Sequence, residues 1–259
     1  MLDTILLDID GTITFQGAAI KGAAETLLAI ESLGLKLKLI TNISERPPEA
    51  IARDLRALGF INITPERVFT SALASAQLVT RSGGSYSDLL IPPEVMQILS
   101  HLQLDREKPD HLIICGISDD FSVSLVNQAF RQLRSGSKLI AMHKNFYTMA
   151  TDGPTIDSDA YVVALEHAAG VKATVCGKPS NIFFETVLAE LGSSAPSTLV
   201  VGDDLSTDIA GGRAVGASTV LVQTGKGRNA VAGADAPDHT IVSVAALPAL
   251  LESLLCNLI

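Results

Sequence analysis

"TILLDIDGTITF", residues 4–15, is the stretch whose reading decides the fold. Ile5, Leu6, Leu7 and Ile9 surround Asp8 and Asp10. A short apolar run of this kind reads as a buried strand, and a buried strand rarely tolerates unpaired carboxylates. On an extended chain, residues two apart project to the same side, so Asp8 and Asp10 are expected to point the same way. Gly11 and Thr12 then mark the end of the strand and a turn. Two like charges forced together need a cation, a shared proton or a chemical task.

Outward from this stretch, strand and helix alternate. "GAAETLLAIESLG" places Ala23, Leu27, Ile30 and Leu33 on one helical stripe and stops at Gly34. "LKLKLITN" reads as the next strand. Ser44 is expected to cap a helix whose first turn holds Pro47 and Pro48 and whose apolar face is Ile51, Leu55 and Leu58. "RVFTS" is a short third strand, followed by a helix over "ALASAQLVTR". Alternation at this interval predicts a parallel sheet covered by helices. "SGGSYSD", 82–88, then reads as a loop and hinge. Beyond it "HLIICG" and "KLIAM" read as strands, and "SVSLVNQAFRQLRSG" and "AYVVALEHAAG" as helices. The α/β rhythm resumes through "STLVVGDD", a helix near 206–215, "STVLVQTG" and a final helix. The expectation is an α/β protein with a Rossmann-like parallel-sheet core formed by residues 1–82 and 173–259. Residues 83–172 are an inserted α/β domain.

Composition limits the function. The 259 residues are 47% hydrophobic and 18% charged, as in a globular chain with ample core material. A net charge of −9 leaves no basic surplus for nucleic acid. A small anionic substrate is still compatible, because a bound divalent metal inverts the local sign. Three widely spaced cysteines, Cys115, Cys176 and Cys256, suggest neither a disulfide framework nor a zinc site, and are read as belonging to a reducing, cytoplasmic setting. The first residues enter a strand with no basic n-region, and no apolar run is long enough to cross a bilayer, so no membrane partner is expected. The tail "CNLI" superficially fits a prenylation box at Cys256. No polybasic stretch precedes it, and it continues the apolar pattern of a docked helix.

In an open parallel sheet, ligands bind at the carboxyl ends of the strands. The first strand ends in Asp8 and Asp10, and the second in Thr41 and Asn42. Lys178 stands between Gly177 and Pro179 after the insertion, and a later strand ends in "VGDD", Asp203 and Asp204, with Asp208 following. Asp8, Asp10 and Asp203 brought close would require a hard divalent cation with oxygen ligands, and Mg2+ suits a site of few carboxylates with room for water and phosphate. Thr41 and Lys178 would hold phosphoryl oxygens. One carboxylate of the opening pair could attack phosphorus, and its neighbour could shuttle the protons.

These segments resemble the haloacid dehalogenase superfamily of phosphohydrolases. "DIDGT", "ITN", "GKPS" and "GDDLSTD" are similar to its four motifs, in its order. The insertion is similar to the superfamily's larger α/β (C2-type) cap, as found in nucleotide and p-nitrophenyl phosphatases. The resemblance implies Asp8 as nucleophile and metal ligand, and Asp10 as general acid/base whose backbone carbonyl also reaches the metal. It implies Thr41 and Asn42 as phosphate-binding, Lys178 as neutralising the phosphate, and Asp203 as completing the Mg2+ site. Asp208 would orient Lys178, and Asp204 would hold a metal-bound water. Dehalogenases of the superfamily need neither the second aspartate nor the metal, so Asp10 and "GDD" favour a phosphatase. "NQAFRQL", "MHKNFY" and "YVVALEHAAGVKATVCGKPS" resemble the branch of phospholysine phosphohistidine inorganic pyrophosphate phosphatases and haloacid dehalogenase-like hydrolase domain-containing proteins.

Within the insertion, "HKNFYTMATDGPTIDSD" is expected to be a specificity loop, with His143, Tyr147, Asp157 and Asp159 as candidates for contacting the leaving group. The expected partner is a small phosphorylated substrate, and the resemblance adds a homodimer through the cap. A phosphotransferase, and a non-catalytic phospho-ligand or partner-binding protein, stand as alternatives.

Overall fold

The computed structural model describes residues 2–116, 122–150, 153–231, 233 and 236–256. Two compact units make up the chain. One comprises Met1–Thr41, Pro48–Phe69 and Lys178–Ile259, and the other Asn42–Pro47 with Thr70–Gly177. The crossings therefore fall at the second strand's end, beside Thr70 and at Lys178, where the sequence reading had 82/83 and 172/173.

The first unit is built on a six-stranded sheet. Its spatial order is His239–Ile241, Ser218–Val222, Thr198–Gly202, Thr4–Asp8, Lys36–Thr41, Val68–Thr70. Thr4–Asp8 runs parallel to both neighbours, with Leu6 opposite Val200 on one side and Leu7 opposite Leu39 on the other. The central strands read as continuous Leu, Ile and Val because helices cover both faces of such a sheet. Ile5, Leu6, Leu7, Leu39, Ile40, Val200 and Val201 are accordingly buried, each stabilising the core by roughly 1.5–3 kcal/mol. Phe69, Phe183 and Phe184 form an edge-on stack, with centroids 5.1 and 5.5 Å apart along the series. Lys38 interrupts the apolar pattern of its strand, yet its ammonium donates to the Glu66 carbonyl at 2.6 Å and pairs with Glu190. That partnership is what a buried lysine requires.

The second unit has its own sheet, ordered Thr174–Val175, Lys138–Ala141, His111–Ile114, Ser85–Leu90, Gln103–Leu104, with parallel pairing throughout. Leu112, Ile114, Leu139 and Ala141 pack against Ala129 and Leu133 of the helix Val123–Arg134 and against Val162, Leu165 and Ala169 of the helix Asp159–Ala169. Ser122 caps the first of these helices by accepting the Leu125 amide at 3.3 Å. Gly170 ends the second in the left-handed conformation at φ 70°.

Several local expectations are corrected. "SGGSYSD" is not a loop throughout: Gly83 and Gly84 make the turn, and Ser85–Leu90 is a sheet strand. The polar Ser85 and Ser87 hid this, because the partner that satisfies Ser85 is the distant Asp110. Ser44 does not cap the next helix, which runs Pro48–Ala57. The strand carrying the first motif ends at Asp8, so the alternation does not extend to Asp10: Asp8 is buried and Asp10 exposed. A helix Pro93–Leu99 and an antiparallel hairpin, Tyr147–Ala150 with Gly153–Ile156, went unpredicted. The final helix is Leu247–Cys256, and residues 257–259 of the prenylation-like tail lie outside the described residues. No described helix is long and apolar enough to cross a membrane.

Candidate active site

Adjacent parallel strands end on the same edge of a sheet, which is how the first unit collects its polar groups. Asp8 ends its strand, Asp203 follows Thr198–Gly202, and Asp208 lies in the π-helical turn Leu205–Ile209. Lys178, where the chain returns to this unit, donates to Asp8 Oδ1 at 2.6 Å and to Asp208 Oδ1 at 2.6 Å. Gly202 permits the close approach of Asp208, since a Cβ there would lie 2.2 Å from its Cγ.

The Lys178 ammonium bonds two of three clustered carboxylates, Asp8, Asp203 and Asp208, none more than 5% exposed. Their charges are therefore undercompensated. Burial, reinforced by Asp203 and Asp10 against the pull of Lys178, pushes the Asp8 carboxyl up to about 6. Burial and the Asp208 charge push Asp203 up to about 6, and burial pushes Asp208 up to about 7. Burial opposes the charge of Lys178, but Asp208 and Asp8 together hold it above its ordinary range.

The residues fit a hard cation. Asp8, Asp203 and Asp208 each bring a carboxylate oxygen within 4.8 Å of the others. Asp8 Oδ2 is buried with no hydrogen-bond partner among the described residues. A buried orphan of that kind costs on the order of 1–3 kcal/mol or more. Asp208 differs from the other two. Its Oδ1 receives Lys178 and its Oδ2 receives the Asp204 amide at 3.2 Å, so both oxygens are engaged.

Asp204 lies outside this trio. Burial opposes its charge, but Lys226 at 2.6 Å and the Ser206 amide and hydroxyl hold its carboxyl below the usual range. Asp10 is exposed, and its Oδ1 accepts from Thr14 Oγ1 at 3.0 Å at the base of the short hairpin Thr14–Phe15/Ala18–Ala19. Thr41 is buried at the end of its strand. Asn42 belongs to the second unit, where its amide donates to Asn145 Oδ1 at 3.4 Å and its carbonyl accepts from Ser71.

The candidates in the second unit separate into three kinds. His143 is buried, with Nε2 3.1 Å from Ser44 Oγ and 3.7 Å from Glu45 Oε1, and Nδ1 3.0 Å from Ser158 Oγ. Asp157 joins it, offering an oxygen within 4.8 Å of the Glu45 and His143 ligand atoms. Asp159 instead pairs with Lys144 at 3.4 Å, and Lys144 also meets Glu166 at 3.2 Å. Tyr147 is 57% exposed on the hairpin. The sequence reading missed Glu45 and Ser158, which pack around His143. It also missed the turn Thr224–Lys226 that touches Asp203. "TGKG" at the end of the strand Ser218–Val222 was a usable signal for that turn, since it occupies the same sheet edge as the motifs.

Known proteins resemble this chain in sequence and in fold. A haloacid dehalogenase-like hydrolase family model matches residues 5–105, and a HAD-hydrolase-like model matches residues 175–247. Haloacid dehalogenase-like hydrolase domain-containing protein 2 of Bos taurus is 32% identical over 88% of this chain and 87% of its own length. Phospholysine phosphohistidine inorganic pyrophosphate phosphatase of Xenopus laevis is 34% identical over 86% of this chain and 84% of its own. In fold, the chain is similar to a p-nitrophenyl phosphatase from Archaeoglobus fulgidus, with a TM-score of 0.86 at 24% identity over 96% of this chain and 99% of that one. Fold and relatives together define a parallel-sheet α/β hydrolase of the phosphatase class. The chain belongs to the haloacid dehalogenase-like hydrolase family.

Proposed function

We propose that this protein is a Mg2+-dependent phosphohydrolase of small phosphorylated substrates, working through an aspartyl phosphate on Asp8. The observation that carries the reading is the state of Asp8: Oδ1 is held by Lys178 at 2.6 Å, and Oδ2 is buried without a hydrogen-bond partner among the described residues. A carboxylate fixed by one oxygen presents the other as a nucleophile.

Asp8 and Asp203, with the Asp10 carbonyl, would hold Mg2+, which when bound supplies charge stabilisation to the phosphoryl oxygens. Asp208 is a poorer ligand because both its oxygens are engaged; it keeps Lys178 charged and aimed at Asp8. Asp8 Oδ2 attacks phosphorus, and the bond from phosphorus to the leaving oxygen breaks. The Asp10 carboxyl gives that oxygen its proton. Asp10, now a carboxylate, takes a proton from water as the water attacks the phosphoryl group. The bond between phosphorus and Asp8 breaks, and inorganic phosphate leaves. Thr14 orients the Asp10 carboxyl, and Lys178 and Thr41 hold the phosphoryl group in line.

The relatives' names make phosphoramidates and pyrophosphate candidate substrates beside phosphoric monoesters. The free state of Cys115, Cys176 and Cys256 supports a reducing, cytoplasmic setting. The test is phosphate release from p-nitrophenyl phosphate, nucleoside monophosphates, sugar phosphates, pyrophosphate and phosphoramidates, with Mg2+ and with chelator. Turnover that requires Mg2+ and vanishes in Asp8→Asn supports the reading. Turnover that survives Asp8→Asn excludes Asp8 as the nucleophile.

A further inference from the structure

The turn after the strand Ser218–Val222 is fastened on two sides. Thr224 Oγ1 donates to the Gly11 carbonyl at 2.5 Å, joining the turn to the one that follows the first strand. Two residues on, the Lys226 amide donates to Asp203 Oδ2 at 2.7 Å. Between these anchors, Gly225 has φ 46°, and a Cβ there would lie 2.1 Å from Asp203 Oδ2 and 2.6 Å from Gly11 Cα. Gly11 closes on the same oxygen from the other side: with φ 92°, its Cβ would also lie 2.1 Å from Asp203 Oδ2. The Asp203 carboxylate is thus sandwiched between two glycine backbones and held by one main-chain donor.

We infer that Thr224 and Gly225 are positioning residues of the cation site, building a backbone clamp that holds Asp203 by Oδ2 and offers its other oxygen to the metal. This rests on the Mg2+ reading above and goes beyond it by assigning the clamp to a segment outside the four motifs. The physical reason is preorganisation. A free carboxylate rotates and can take either one or two oxygens to a cation, whereas one whose second oxygen is tied to the main chain arrives already oriented. Neither clamp residue supplies a ligand. The Thr224 hydroxyl works at one remove, through the Gly11 turn and the placement of the Lys226 amide.

The experiment is calorimetric titration of the full chain with MgCl2, free of substrate, for the wild type, Asp203→Asn, Thr224→Val, Thr224→Ser and Gly225→Ala. Thr224→Val keeps shape and removes the donor. Its Mg2+ dissociation constant should rise about tenfold, the lower end for loss of a group that orients a ligand. Thr224→Ser, which keeps the hydroxyl, should stay near wild type, a recovery that a packing role for the methyl group would not produce. Gly225→Ala, which drives a methyl into the Asp203 carboxylate, should weaken binding at least as much. It decides the matter if Thr224→Val does not fold, as judged by its chelator-treated melting curve. Wild-type affinity in both folded variants overturns the clamp while leaving the Mg2+ site standing. Binding that is absent from the wild type, or unchanged in Asp203→Asn, overturns the cation reading and the clamp with it.

Discussion

Lys178 and Asp8 stand 170 residues apart in sequence, and in the fold the ammonium of one lies 2.6 Å from a carboxylate oxygen of the other. The same ammonium reaches Asp208 at the same distance, so the lysine is buried between two acids that are themselves almost fully buried. Removing one partner of a buried ionic set leaves the rest uncompensated. Lys178→Met should therefore destabilise the protein by about 3–5 kcal/mol at pH 7.5. Urea denaturation at that pH checks it, and a midpoint equal to wild type would contradict it.

Metal-free stability should fall as pH rises. An unfolded chain titrates its aspartates at about 4, whereas burial in the fold pushes Asp8 and Asp203 up to about 6 and Asp208 up to about 7. Between the unfolded and folded values the native state holds more protons than the unfolded one, so each unit of rising pH costs stability until the carboxyls are ionised. The Lys178 contribution has the same sign in a higher window: it is complete below the ordinary lysine range and is lost as pH rises well above it. In chelator, the melting temperature should drop between pH 4 and pH 7.5. Added Mg2+ should raise it more at pH 7.5 than at pH 5, where protons compete for the same oxygens. Equal metal shifts at both pH values would argue against a carboxylate cation site.

Asp8 and Asp10 should fail differently when neutralised. On the proposed mechanism, Asp8→Asn removes the attacking oxygen and should abolish turnover. Asp10→Asn leaves the nucleophile and should lower kcat by about 10²–10⁴-fold, the usual worth of a positioned acid/base. Rapid quenching with substrate labelled at phosphorus should then find the label on the protein in Asp10→Asn and not in Asp8→Asn. The absence of label in Asp10→Asn, under conditions where it still turns over, would count against a covalent intermediate.

In the second unit, His143 and Asp159 should separate by stability. His143 joins Ser44 and Ser158 from both of its ring nitrogens while 2% exposed, so His143→Ala strips partners from two buried hydroxyls and opens a cavity. A loss of about 2–4 kcal/mol is expected. Asp159 makes a 3.4 Å pair with Lys144, which also has Glu166, so Asp159→Asn should change stability by less than about 1 kcal/mol. Chemical denaturation of the two variants side by side checks the ordering.

The alternation of apolar strands and amphipathic helices was legible because period and composition are local properties. Thr4–Asp8, Lys36–Thr41, Thr198–Gly202 and Ser218–Val222 could each be read from their own residues. The acidic strand ends were legible for the same reason: a carboxylate directly after a buried run stands out against its neighbours. Ser85–Leu90 was not legible, since its first serine, Ser85, is made tolerable by Asp110, a residue 25 positions away.

What the sequence by itself determined is the parallel α/β core and the set of polar residues, Asp8, Thr41, Lys178 and Asp203, on which the proposed chemistry rests. Only the tertiary structure decided how they are used. It bonded Lys178 to Asp8 and Asp208, left Asp8 Oδ2 without a partner among the described residues, engaged both oxygens of Asp208, and brought the Thr224–Lys226 turn onto Asp203. The physical reason is range. Strand and helix patterns are set by neighbours within a few residues, whereas burial, charge compensation and hydrogen-bond pairing depend on groups that meet only when distant segments pack together.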